Sequence, residues 1–115
     1  MEKRAHERYP VEEAAVMRLE GVAGGVYVVT VLDVSTFGLR VSCPVAVPLL
    51  ARVKVVCKGT EVSGVTRYAR DVERDGYYLG IHVDQVSRGG QVQVGEIDLI
   101  AIFRPRGYPS EKTSE

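Results

Sequence analysis

The stretch DVSTFGLRVSC, residues 33–43, decides how this chain is read. Its second half alternates, with Leu39, Val41 and Cys43 on one side and Arg40 and Ser42 on the other. Successive side chains of an extended backbone point to opposite faces, so this is the pattern of a strand with one face on a core. The first half interrupts an apolar run with Asp33, Ser35 and Gly38. Asp and Ser side chains bond nearby backbone N–H groups and shape turns, and glycine tolerates turn dihedrals. A chemical reading stands beside this structural one. Asp33 lies where inward packing stops, at the rim of the core, where a carboxylate can accept the N–H groups of a base or steer an arginine toward a phosphate. Ser35 adds a hydroxyl, and Gly38 leaves room for a ligand to approach the backbone.

Outward from that stretch, strand patterns recur. Residues 26–33 are apolar on both faces over most of their length, which predicts burial on both sides. Residues 14–20 form an earlier strand of imperfect alternation, closed by the glycine-rich loop 21–25. Pro44 and Pro48 interrupt the sheet. Residues 52–58 alternate again, Val53, Val55 and Cys57 inward against Arg52, Lys54 and Lys58 outward. A hairpin turn is expected at Gly59-Thr60. The strand 61–70 slips phase near Gly64, the mark of a bulge. After a turn at 73–76, residues 77–83 put Tyr77, Leu79, Ile81 and Val83 on one face and Gly80 on the other.

Six strand segments joined mostly by short turns predict an all-β fold, a small six-stranded antiparallel barrel. Closure buries the apolar face and removes the edges. The apolar segment 97–103 is long enough for two helical turns while its β-branched residues favour a strand, so a short C-terminal strand or helix is expected, with a slight lean to strand. The expected organisation is an arm at 1–10, a barrel domain at 11–103 and a tail at 104–115.

Composition narrows the function. The 115 residues suit one domain. Fifteen basic and fifteen acidic side chains leave no net charge, against the basic surplus of a nucleic-acid module. Cys43 and Cys57 lie in alternating runs and read as small buried hydrophobes, neither a disulfide scaffold nor a zinc site. No apolar run reaches membrane-span length, and the opening MEKRAHERYP lacks the apolar stretch of a signal peptide, so a cytoplasmic location is expected. His6 and His82 are the only histidines, and no Ser-His-Asp order, metal cluster or phosphate loop is present. The expectation is a binding protein, not an enzyme.

The opening segment carries RAHER, residues 4–8. On an extended arm before Pro10, Arg4 and Arg8 can reach one anion, with Lys3 and His6 as further donors. The guanidinium is a planar fork suited to phosphate or to the O6/N7 edge of guanine. Arginine pairs at this spacing are common in so arginine-rich a chain. A second one, RDVER at 70–74, reads as solvated surface, and the same reading is open for Arg4 and Arg8.

Taken in order, RxxxR on an arm and DxSxxG between the second and third strands resemble the PilZ domain family. YYLGIHV, residues 77–83, is similar to that family's final barrel strand, and the resemblance spans residues 3–84. It implies a six-stranded barrel that binds the bacterial second messenger cyclic di-GMP, with no other cofactor, and relays the signal to an effector protein. It implies that Arg4 and Arg8 wrap the ligand, that Asp33 and Ser35 read a guanine, and that Gly38 closes the motif, with Lys3 and Gly80 assisting. Lys3 stands where many members carry an arginine, keeping the charge but not the fork. The competing expectation is a PilZ-like protein-interaction barrel that binds no nucleotide, suggested by Tyr78 and the apolar segment 97–103.

Overall fold

The computed structural model describes residues 8–95 and 97–104. Seven strands form one antiparallel sheet: β1 (Tyr9–Leu19), β2 (Val26–Val34), β3 (Gly38–Cys43), β4 (Arg52–Cys57), β5 (Thr60–Asp71), β6 (Tyr77–Arg88) and β7 (Gln91–Val94). The order is β3-β2-β1-β4-β5-β6-β7, and a further pairing of β3 with β6 closes the first six into a barrel. The six-stranded barrel expected from the sequence is thus present, with β7 outside the ring. A short helix α1 (Leu99–Phe103) follows. No helix of the described residues is long and apolar enough to cross a membrane.

The barrel interior is filled largely by the inward set of each alternating strand. Met17, Val31, Val34, Leu39, Val41, Val53, Val55, Val62 and Leu79 are all fully buried. Small β-branched residues suit this space, because they pack on a pleated surface without long flexible stems. Thr66 is a polar residue buried as completely as these. Its hydroxyl donates to the Pro48 carbonyl at 2.6 Å and accepts from the Ala51 N–H at 3.0 Å, so no buried polar group is left unmatched there. Those bonds tie the 44–51 connection, with its two prolines, to β5.

Several expectations are corrected. Residues 26–33 are not buried on both sides, since Val26 and Val28 are exposed. Val29, Val31 and Val34 face inward, the phase shifting across the irregularity between Val31 and Asp33, while Val26 and Val28 lie on the open outer side of β2. The β4–β5 turn sits at Lys58-Gly59, one residue earlier than expected. Both have positive φ, 50° and 77°, which lets a two-residue hairpin match the strands' twist. The phase slip at Gly64 is real, but the extra residue is Asp84 on the partner strand. Gly64 is needed because a Cβ there would lie 2.0 Å from the His82 carbonyl oxygen.

The segment 97–103 contains a helix, not a strand. Asp98 caps it by accepting the Ala101 N–H at 3.1 Å. Leu99, Ile102 and Phe103, spaced as neighbours on one helical face, pack on the core. That cap outweighs the weak strand preference of the isoleucines. Strand β7 was not expected. It follows β6 through Gly89-Gly90, both at positive φ, and its four residues are all exposed. Finally, β1 starts at Tyr9, inside the segment read as arm, with Tyr9 opposite Val34 and Pro10 opposite Asp33.

Candidate ligand-binding site

Strand register brings distant residues together. Asp33 is paired with Pro10 on β1 and with Arg40 on β3; Arg40 is paired with Gly80 on β6; Gly80 is paired with Tyr68 on β5. These positions form one transverse row across five of the six barrel strands. The neighbouring row, Val34, Leu39, Ile81 and Thr66, is buried in the core. The polar row is therefore backed by a packed layer, which fixes its backbone.

Asp33 is nearly buried, at 5% exposure, and both its carboxylate oxygens are engaged. Arg8 donates from Nε to Oδ1 at 2.6 Å. Arg40 donates from Nε and Nη2 to Oδ2, the former at 2.9 Å. The Arg40 guanidinium also lies 5.5 Å from the centre of the Tyr78 ring, a cation–π contact. Burial disfavours the Arg40 charge, but the hydrogen bond and charge of Asp33, with a smaller contribution from Tyr68, prevail and raise its pKa. Asp33 is thus not open to read a base directly. It holds two arginines, the second of the two roles its position allowed.

Ser35 and Gly38 build the β2–β3 turn. The Ser35 N–H donates to the Gly38 carbonyl at 2.9 Å, and the Ser35 hydroxyl points to the same oxygen at 3.4 Å. Gly38 does not adopt positive φ. It is required because an added Cβ would lie 2.2 Å from the Ile81 carbonyl oxygen, so only glycine lets β3 close against β6. Gly80 has a comparable role: a Cβ would meet the Tyr68 ring at 2.1 Å, so the ring lies directly over this glycine.

Arg8, Ser35, Gly38 and Gly80 line one open cavity of about 520 Å³, a volume typical of small-molecule sites. Phe37, Arg67, Tyr68 and His82 complete much of its wall. The Phe37 and His82 rings are near parallel, 12° apart in plane with centroids 6.4 Å apart. Of the other residues singled out from the sequence, Lys3 and Arg4 lie outside the described residues. Asp33 stands behind the wall and acts through Arg8.

Arg40, Arg67, Phe37 and His82 were not singled out from the sequence as site residues. Arg40 had a usable signal, since it lies two residues after the turn glycine on the polar side of β3. Arg67 had none. It is the extra residue where Thr66 pairs with Ile81 but Tyr68 pairs with Gly80, a bulge that no local pattern announces.

No family model matches this chain. No curated protein matches it either.

Proposed function

We propose that this protein is a PilZ-type receptor that binds cyclic di-GMP in the cavity beside Asp33 and passes the signal to a partner protein without catalysis. One observation carries the reading. Arg8, Ser35, Gly38 and Gly80, selected from separate parts of the sequence, line a single nucleotide-sized cavity. The wall chemistry suits the ligand: guanines offer flat faces to Phe37, Tyr68 and His82, and phosphates suit arginine forks. Arg8 is oriented by a bond that uses Nε, which among the described residues leaves its Nη groups to meet an anion. Lys3 and Arg4 would add positive charge from the segment before it.

Charge-assisted hydrogen bonds contribute about 1.5–3 kcal/mol each, against roughly 1–2 kcal/mol per backbone residue that must be ordered. Few residues need ordering, so dissociation in the micromolar range or below is expected, about −8 kcal/mol. Titration calorimetry with cyclic di-GMP tests this. Arg8→Ala should lose most of the affinity and keep the barrel, because Arg8 precedes the first strand. A wild-type chain that gives neither heat nor a melting shift with the ligand would end the proposal.

The competing reading, a protein-interaction barrel without nucleotide, loses two of its supports. Ile97, Leu99 and Ile100 are buried, and Tyr78 is half-covered beneath Arg40. What favours a protein partner is the outer face of β1, β2 and β4. There Val16 pairs with Val28 and with Val56, and all three are exposed. That face fits the relay step of the receptor as well as it fits the alternative.

A further inference from the structure

Resting on the reading above, we infer that Arg67 is a phosphate-binding residue of the same site, aimed there by the bulge in β5 and supplying charge that Arg8 alone does not. Thr66 is fully buried and anchored on both sides. Its hydroxyl binds the 48–51 segment, while its N–H donates to the Ala51 carbonyl and its carbonyl accepts the Leu50 N–H. Tyr68 is seated on Gly80. Arg67 is the one residue between these fixed points without a partner on β6. A bulge of this kind re-aims a side chain, and here it puts Arg67 on the outer side next to Tyr68, where both line the cavity. An unbroken strand would have put only one of them there.

Arg8 and Arg40 share Asp33, and Arg52 is bound by Asp84. Among the described residues, no carboxylate is bonded to Arg67, which is exposed. Among the described residues, three arginines around one carboxylate therefore leave two positive charges without an ion-pair partner of their own at this site. A cyclic dinucleotide carries two phosphates. The division of labour follows: Arg8, held by Asp33, takes one phosphate or a guanine edge, and Arg67 takes the other phosphate from the β5 side.

The test is calorimetry with cyclic di-GMP at about 50 and about 300 mM salt, since added salt shortens the screening length. The proteins are wild type, Arg67→Ala, Arg67→Lys and Arg70→Ala. Arg70 is an exposed arginine of the same strand that does not line the cavity, so it controls for loss of charge alone. Arg67→Ala should bind at least tenfold more weakly at low salt, with a smaller deficit at high salt and an unchanged melting temperature. Arg67→Lys should recover part of the loss, because the charge returns without the fork. Arg70→Ala should stay within about twofold of wild type, as expected for a screened surface charge. Wild type that binds while Arg67→Ala and Arg70→Ala behave alike overturns the role of Arg67 and leaves the receptor reading standing. A wild type that does not bind overturns both.

Discussion

Replacing Asp33 with alanine strands two guanidiniums at once. Asp33 accepts three hydrogen bonds, one from Arg8 and two from Arg40, and is itself almost fully buried. Hydrogen bonds to charged groups are worth about 1.5–3 kcal/mol each, and breaking a fully buried ion pair costs about 3–5 kcal/mol. The arginine side chains are 35% and 33% exposed, so water recovers part of their solvation when the acid is removed. The expected loss is therefore about 2 kcal/mol, which for a domain of this size lowers the melting temperature by roughly 6–10 °C. Urea unfolding of Asp33→Ala, Arg40→Ala and the double variant separates this from a simple cavity effect. The two substitutions should be strongly non-additive, with a coupling of about 1 kcal/mol or more, because each removes the same contact. Ligand affinity should fall as well, since Arg8 loses the bond that orients it. A wild-type unfolding midpoint for Asp33→Ala, or strict additivity with Arg40→Ala, would refute the claim that this acid organises the site.

Other consequences are as direct. Gly38→Ala should destabilise the barrel by about 3 kcal/mol in urea titrations, because its methyl meets the Ile81 backbone oxygen, which cannot withdraw without opening the β3–β6 closure; near-wild-type stability would show that the closure is looser than described. The hydrogen bond and charge of Arg52 hold the Asp84 carboxyl below its usual range, with burial opposing. A depressed carboxylate stabilises the fold above its unfolded-state pKa, and that contribution is lost as pH falls through the folded-state value. For a pair this exposed it amounts to no more than about 1 kcal/mol, so unfolding of wild type and Asp84→Asn should converge on acidification and differ slightly at neutral pH. Burial pushes the Cys57 thiol up, with Glu13 adding to the shift and Lys58 opposing it. A thiol reagent at mildly alkaline pH should therefore label Cys57 slowly in the native protein and quickly in urea, and equal rates would contradict its burial.

Period-two alternation in residues 38–43, 52–58 and 77–83, punctuated by glycine and proline, was enough to specify strands, their inward faces and a closed barrel. These are local regularities, because each residue's side is fixed by its neighbours along an extended chain. Asp33, Ser35 and Gly38 were likewise legible as a turn of unusual chemistry. The segment 97–103 was legible only as strand or helix, because a single capping acid at Asp98 competes with residues of mild strand preference. β2 was overestimated because composition cannot say whether a second layer will cover a strand.

Register and bulges were decided only in three dimensions. Whether Asp33 faces a base or two arginines depends on Pro10 and Arg40 arriving opposite it. Whether Arg67 points at the cavity depends on one unpaired residue between two anchored neighbours. Gly38 and Gly80 look alike in the sequence, yet one makes room for a backbone oxygen and the other for an aromatic ring. The sequence determined the faces, since backbone geometry repeats every two residues. The closed sheet determined the neighbours, since those depend on strands far apart in the chain meeting in one register.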